Sequence, residues 1–582
     1  MKKALDYIFS GKEKRYLVYL LIIIIIGSFL ELLGVSAFMP FITLIMDPES
    51  LHDSLYLEWF YTKFRFSNTT DFLASLAGMI ILVYILKNLY LIWEKNTIYK
   101  FAYKLQKNTS VRLLTAYLHE PYTFYLNKNP AELIRSLEND TDLFAKAIIH
   151  TLELLSEILI CIVLGIYLFM VSHSITIIVM IILIFSVTVF TSISKRLSTD
   201  MGRQGQEYNG KAIQYINQSL GGIKEIKILN REDYFESAYA NVEGKYVRTL
   251  RVTRLMSVVP KYVMEAACIG GLLVAVIMKM YFGQNDLQAF IPQMSVFAVA
   301  AFRMLPSVGR INEHSTAIFN AYPSIELVYN DLQAVENAPV IRDKVTSAEW
   351  QFQNDISIMH VSFHYPDTDD DVLHDVSFDI PKGKTVAFIG TSGAGKTTMA
   401  DIILGLLIPQ RGHIEADGLN IMENIHIWQK EIGYIPQNIY LSDDTIRNNI
   451  AFGIENDEIS DEAVIDAATR AQLKEFVDTL TEGFNTVVGD RGARLSGGQR
   501  QRIGIARALY YDPEVLVLDE ATSALDNETE TAVMESVDRL KGEKTIIIIA
   551  HRLTTIRNAD IIYEVDNKQV VERNKEEILR GL

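Results

Sequence analysis

Apolar positions are spread unevenly along this chain. Before about residue 310 they gather into long runs divided by polar stretches. After about residue 340 the chain reads like an ordinary soluble α/β protein. A membrane-crossing helix needs about 20 mostly apolar residues. Six runs meet that length: 16–46, 72–93, 147–171, 175–193, 256–282 and 287–305. The first is longer than one bilayer requires, and Pro40 predicts a bend near its end. Two long polar stretches, 94–146 and 194–255, hold few helix breakers. "KFAYKLQKNTSVRLLTAYLHE" places its apolar residues at helical spacing, which predicts membrane helices that continue into water. "YTFYLNKNPAELIRSL" and "ILNREDYFESAY" are the candidate turns at the tips of those extensions. Only 172–174 separate the third and fourth runs, so they form a tight hairpin. The acid-rich, aromatic stretch 47–71 is either a short interfacial helix or a plain loop. The pattern predicts two domains: a helical membrane domain over 1–335 with six transmembrane helices and long cytoplasmic extensions, then an α/β domain over 336–582.

Charge orients this arrangement. Lys2, Lys3, Lys12, Lys14 and Arg15 keep the N-terminal end in the cytoplasm. The apolar run behind them outlasts the core of a signal peptide and ends in no small-residue cleavage site, so it reads as a first membrane helix. The net charge of −16 excludes nonspecific nucleic-acid binding, which needs a basic footprint. The two cysteines, Cys161 and Cys268, lie in apolar runs and read as small buried hydrophobes. Within or beside the spans stand three cations, Lys87, Lys261 and Arg303, and two acids, Glu31 and Glu265. Intramembrane charges face a partner or a polar cavity. One reading is internal pairing, such as Glu31 with Lys87, or snorkelling to the interface. The other is a cavity in which Lys87, Lys261 and Arg303 meet a phosphate or pyrophosphate headgroup.

The chemistry of the second half is more explicit. "KTVAFIGTSGAGKTTMADIILGLL" is a short strand, a glycine-rich turn and a helix. Residues Gly390, Thr391, Ser392, Gly393, Ala394, Gly395, Lys396 and Thr397 fit G-x-x-x-x-G-K-[ST], with Thr398 following. Glycines let backbone N–H groups close around phosphates, and the helix start favours their charge. Lys396 reaches the β- and γ-phosphates, and Thr397 offers its hydroxyl to Mg2+. Further on, "EVLVLDEATSALD" delivers Asp519 and Glu520 to a strand end. Asp519 is placed to hold Mg2+, mostly through water, and Glu520 to orient or deprotonate an attacking water. Between these two motifs, "RLSGGQRQRIGIARAL" sets Ser496, Gly497, Gly498 and Gln499 at the start of another helix, a second anion site.

Together these motifs resemble the nucleotide-binding domain of ATP-binding cassette (ABC) proteins, and the likeness covers that whole half. The resemblance implies further roles. Tyr365 in "VSFHYP" matches the aromatic that stacks on adenine. Gln437 in "IGYIPQNIYL" matches the glutamine that touches Mg2+ and the membrane domain. Asp526 in "SALD" matches the D-loop, and His551 in "IIIIAHRL" matches the switch histidine that contacts the γ-phosphate. In this family two domains sandwich two ATP molecules, each completed by the signature serine of the other. Lys396, Glu520, His551 and the signature are all intact, which favours a homodimer. "GVSAFMPFITLIMD", "VVPKYVMEA" and "AFRMLPSVGRI" resemble the membrane half of the PglK-type lipid-linked oligosaccharide flippases of bacterial N-glycosylation. That resemblance implies an ATP hydrolase of the inner membrane, with both termini and the ATPase domain cytoplasmic. It would move a polyprenyl-pyrophosphate-linked oligosaccharide or a similar anionic glycolipid. Two alternatives stand beside it: an exporter of drugs, lipids or peptides, and an ATP-gated channel or regulator. Intact Glu520 and His551 weigh against the latter.

Overall fold

The structure, a computed structural model, describes residues 7–46, 51, 55–64, 66, 68–171, 173–282, 287–336, 350–366, 368–519, 527–550 and 557–581. The chain divides into two compact units. The first comprises Met1–Glu120 and Lys128–Ala338. The second comprises Pro339–Leu582 together with Pro121–Asn127, a short segment lying between two parts of the helical sequence.

The first unit is entirely helical among the described residues. Its elements are α1 (Gly11–Ser36), α2 (Phe38–Met46), α3 (Leu55–Lys63), α4 (Thr69–Leu118), α5 (Tyr122–Leu126, grouped with the second unit), α6 (Pro130–Arg135), α7 (Thr141–Val171), α8 (His173–Gly221), α9 (Ile223–Leu229), α10 (Glu232–Phe282) and α11 (Leu287–Glu336). The break after Ser36 has a local cause. Pro40 lacks an N–H, and its ring crowds the carbonyl four residues back, which is that of Ser36. The acid-rich stretch contains a helix, α3, and α7 passes into α8 across a single residue. Among the described residues three helical segments are long and apolar enough to cross a membrane: Gly11–Ile45, Thr69–Leu118 and Pro130–Met170. The runs expected at 175–193, 256–282 and 287–305 lie within α8, α10 and α11, but many of their side chains fall outside the described set.

The polarity of α1 and α4 is inverted relative to a soluble bundle. On α1, Ile22, Ile25, Ile26, Phe29 and Leu33 are exposed, while Gly27, Ser28, Glu31 and Gly34 are buried. On α4 the buried stripe passes through Ile80, Lys87 and Glu94, and Ile81, Leu82, Ile85, Leu86, Leu89 and Ile92 face outward. Lys87 donates to Glu31 at 3.1 Å, and both side chains are almost fully buried. Gly34 gives the Lys87 chain room, since a Cβ there would stand 3.4 Å from its Nζ. A Cβ on Gly27 would stand 2.1 Å from Glu94 Oε2. Arg310 of α11 holds Glu157 of α7 through both of its oxygens, at 2.5 and 3.2 Å.

A second polar layer ties the extensions together. Buried Asp140, in a single π-helical turn (Ser136–Asp140), accepts from Ser324 at 2.7 Å and Gln206 at 3.0 Å, and pairs with Arg135 at 3.2 Å. Pro260 lies inside α10 and cannot donate to the carbonyl four residues back, that of Met256. Asn312 of α11 donates its side-chain amide to that carbonyl at 3.1 Å. The freed backbone acceptor therefore becomes an interhelical contact.

The second unit is a two-sheet α/β fold. Its strands are β1 (Asp355–Phe363), β2 (Leu373–Pro381), β3 (Thr385–Ile389), β4 (Arg411–Ala416), β5 (Leu419–Asn420), β6 (Ile432–Ile435), β7 (Val515–Asp519), β8 (Thr545–Ile549), β9 (Ile561–Asp566) and β10 (Gln569–Arg573). One sheet is antiparallel, in the order β2-β1-β4-β5. The other runs β10-β9-β3-β8-β7-β6, parallel except for the edge strand β10. Its central strands read "TVAFI", "VLVLD" and "TIIII" and are buried nearly throughout. Continuous apolar runs belong to parallel strands covered on both faces. One face packs with Phe363, Phe388, Met399 and Trp428, the other with Ile503, Ile505, Leu509 and Val533.

The Glu31–Lys87 pair gives a direct test of this inverted interior. Lys87→Met alone strands a buried carboxylate and should cost about 3–5 kcal/mol. Glu31→Leu with Lys87→Met should recover most of that loss. Denaturation midpoints of the purified protein in one detergent check both. A double variant no better than the single would show that the pair is not what the helices need.

Candidate functional site

The site is assembled at the C-terminal edge of the parallel sheet, where ligands of open α/β sheets bind. Strand β3 ends at Ile389, and the glycine-rich turn begins with Gly390 at φ 144°. A Cβ on Gly390 would lie 2.3 Å from the Val565 carbonyl oxygen of β9, so only glycine lets the turn leave the sheet here. Gly395, at φ 109°, caps α12 (Lys396–Ile403) and packs against Val372 and Leu373. Lys396 is buried, and its ammonium donates to the Gly390 and Thr391 carbonyls, each at 2.9 Å. Those two bonds bend the side chain back over its own loop. Thr391, Ser392 and Gly393 are exposed at the rim, Ala394 is half-buried, and Thr397 presents an exposed side chain in the first turn of α12. Thr398 instead turns inward and shares a hydrogen bond with the Tyr365 hydroxyl at 2.9 Å. The Tyr365 ring packs edge-on against Phe363, with centroids 5.2 Å apart.

Two strands bring carboxylate and amide chemistry to the same edge. In the parallel register Asp519 stands beside Ile549, and Ile549 stands beside Phe388, so β7 and β3 end level on either side of β8. Strand β6 pairs with β7 and ends at Ile435, two residues before exposed Gln437. Asp401 of α12 joins them. Burial, and then the charge of Asp519, raises its carboxyl from the usual range to about 6. A cation on this edge would offset the charge of both carboxyls. The loop, the exposed Thr397 hydroxyl, Gln437 and Asp519 thus fit a nucleotide with Mg2+. Glu520, Asp526 and His551 lie outside the described residues.

The signature stretch forms α13 (Gly497–Leu509). Ser496 caps it in a reciprocal box: its hydroxyl accepts from Gln499 N–H at 3.3 Å, and its own N–H donates to Gln499 Oε1 at 2.8 Å. The cap uses the hydroxyl oxygen as an acceptor and leaves its proton for an outside acceptor. The first-turn N–H groups of Gly497 and Gly498 point the same way out of the helix.

The three cations expected to share a cavity do not present as one set. Lys87 is committed to Glu31, with its ammonium 4.4 Å from the Tyr84 ring centroid. The pairing alternative therefore describes it, and it does not line a cavity as an open charge. Lys261 is exposed, lays its methylenes over Gly309 and sits 6.0 Å from the Tyr262 ring centroid. Arg303 lies in α11, and its side chain is outside the described residues. Two features of these units were missed from sequence. Asp401 carried a signal, a lone acid in the apolar run "MADIIL". The polar layer around Asp140 carried little, because its partners are up to 184 residues away.

Comparison with known proteins agrees with this geometry. Residues 17–303 match the ABC transporter transmembrane region and residues 373–523 the ABC transporter family. The ATP-dependent lipid A-core flippase of Francisella tularensis subsp. tularensis (strain SCHU S4 / Schu 4) is 34% identical over 395 residues, 67% of this chain and 64% of that protein. The chain thus spans slightly less than two thirds of that relative. The protein of the same name from Haemophilus influenzae is 30% identical over 477 residues, 80% of this chain and 79% of that one. A bacterial Atm1-family ABC exporter with ATP bound shares the fold, with a TM-score of 0.76 at 21% identity, over 98% of this chain and 96% of that one. With a helical membrane region, a phosphate loop set level with Asp519 and a capped signature helix on one chain, this protein belongs to the ABC transporter family.

Proposed function

We propose that two copies of this chain form an ATP-driven flippase of the bacterial cytoplasmic membrane, with both termini and the nucleotide-binding units on the cytoplasmic side. The observation that carries the ATPase part is the phosphate loop: its backbone, Lys396 and the level end of β7 converge on one edge. When bound, Mg2+ would supply positive charge against the phosphates. Thr397, Gln437 and Asp519 are the residues to hold it. Loop amides from Gly390 to Thr398 and the Lys396 ammonium bind the phosphates, and Tyr365 supports the base. Glu520 orients the attacking water and takes its proton, and His551 contacts the γ-phosphate. Asp526 takes the D-loop position that its motif matches. The free proton of Ser496, with the amides of Gly497 and Gly498 and the Gln499 that orients the cap, suits a phosphate held by the partner subunit. A homodimer is therefore the natural assembly, since each chain supplies both halves of such a site.

For the cargo, the outward apolar faces of α1 and α4 suit contact with lipid tails, and exposed Lys261 suits an anionic headgroup. The finer reading is a polyprenyl-pyrophosphate-linked oligosaccharide. Neutralisation of Lys87 by Glu31 removes one of the cations that a pyrophosphate would use. That observation, with the names of the relatives, favours a second reading, a glycolipid of the lipid A-core kind.

Reconstituted vesicles distinguish these readings. ATP-dependent loss of headgroup accessibility should be seen for an anionic glycolipid and not for a neutral lipid. The rates for a pyrophosphate-linked glycan and a lipid A-type glycolipid then rank the two. Equal rates for the neutral lipid would remove the anionic-cargo reading. Glu520→Gln should keep ATP binding and slow hydrolysis by about 100-fold or more, checked by nucleotide binding beside phosphate release. Turnover near normal in that variant would take Glu520 out of the reaction.

Asp401 supplies a pH test on the nucleotide-free protein. Its native carboxyl titrates at about 6, against about 3.9 in an unfolded chain. Between those values the folded state binds the extra proton, so this group's contribution to stability falls as pH rises through the window. Asp401→Asn should raise the thermal midpoint at neutral pH, equivalent to about 1–3 kcal/mol. The gain should shrink as pH falls through about 6 and be gone by about 4. A gain that persisted undiminished in acid would mean that charge is not its source.

A further inference from the structure

Three metal-ligating side chains converge in the helical unit, in elements that the nucleotide reading does not use. His150 and Glu153 are three residues apart on α7 and so share a face. His314 comes from α11. The two Nδ1 atoms of His150 and His314 are 3.0 Å apart, and Glu153 Oε2 lies 3.6 Å from one and 3.9 Å from the other. Zinc–nitrogen and zinc–oxygen bonds of about 2.0–2.1 Å make a tetrahedral edge of about 3.3 Å. The observed triangle approximates one such face, its longest edge about 0.6 Å over.

The surroundings support a cation there. Glu153 uses its other oxygen to accept from Lys95 at 2.6 Å and from the Tyr99 hydroxyl at 3.3 Å, so Oε2 is held toward the rings. Oriented carboxylates of this kind are what first-coordination ligands need from their neighbours. Two neutral imidazoles facing each other through Nδ1 can share one proton. A metal ion replaces that proton and accepts both lone pairs. His314 is buried, and its Nε2 has no hydrogen-bond partner, so a doubly protonated ring is disfavoured and a neutral, ligand-ready ring is kept. Beside the site Glu153 pairs with Lys95 and Glu157 with Arg310. Glu313 and Lys146, which also act on His150, are paired with Arg254 and Asp142. His150 remains 29% exposed, which gives an ion a way in.

We infer that His150, Glu153 and His314 form a transition-metal site of the two-histidine, one-carboxylate kind that zinc favours, with its fourth position open to water or an anionic oxygen. Occupancy staples α7 to α11. It adds a cross-link to the contact that Arg310 and Glu157 already make between these helices.

The test uses the full chain, purified without a polyhistidine tag. Incubation with Zn2+ followed by gel filtration should leave about one ion per chain and raise the thermal midpoint, while Mg2+ should do neither at this site. Co2+ in its place should give the intense visible absorption of four-coordinate nitrogen and oxygen ligation. His314→Asn and Glu153→Gln should each weaken Zn2+ binding by at least about 100-fold, beyond the usual effect of a neighbouring residue. No bound zinc, or the same affinity in a His150→Asn/His314→Asn double variant, would overturn the site and leave a plain histidine–histidine hydrogen bond. The Co2+ spectrum of the unaltered protein decides the question even where a variant fails to fold: a weak six-coordinate spectrum rules the site out.

Discussion

Burying polar groups where the exterior is apolar is the constraint on which the helical unit depends. Helices with apolar residues outside gain little from hiding them from lipid, so their association rests on close packing and on polar contacts between them. The inner face of α1 accordingly carries Gly27, Ser28, Glu31 and Gly34 among buried Leu20, Ile23, Ile24 and Val35, and the inner stripe of α4 carries Lys87 and Glu94. Each charge buried this way demands an answering group at a fixed place. Glu31 meets Lys87, and Glu157 meets Arg310, so the charges determine which helices stand side by side. Asn312 and the Met256 carbonyl apply the same rule to backbone, turning the gap that Pro260 leaves into a join between α10 and α11.

The nucleotide unit works by the opposite economy. Its apolar strands lie inside, and its chemistry sits at their ends. Because β3, β8, β7 and β6 run parallel, their C-terminal ends gather on one edge, and residues 396, 437 and 519 arrive together despite their separation in sequence. The loop between β3 and α12 is shaped by the backbone of β9 under Gly390 and tied by the Lys396 ammonium to the Gly390 and Thr391 carbonyls. Asp401 shows the cost of that convergence. Two carboxylates share a partly dry edge, a strain that a bound cation relieves.

Sequence legibility followed the range of the interactions. Alternating composition, the phosphate loop, the signature run and the acidic strand end are local patterns, and each could be read because its chemistry needs neighbouring residues at set spacing. The bend at Pro40 and the helix within 55–63 are local in the same sense. Lys87, Lys261 and Arg303 could be read as intramembrane charges, but whether each was paired or open depended on residues elsewhere in the chain.

By itself, then, the sequence determined the class of each half and the position of the glycine-rich turn between β3 and α12. Periodicity and motif spacing act within one helix or one strand–turn–helix unit. Only the tertiary structure decided that Lys87 is matched by Glu31, that Asn312 serves the carbonyl freed by Pro260, that buried Asp401 feels the charge of Asp519, and that His150, Glu153 and His314 meet. Those outcomes depend on which helix faces which and at what rotation, and a rotation of one residue (about 100°) would separate every such pair.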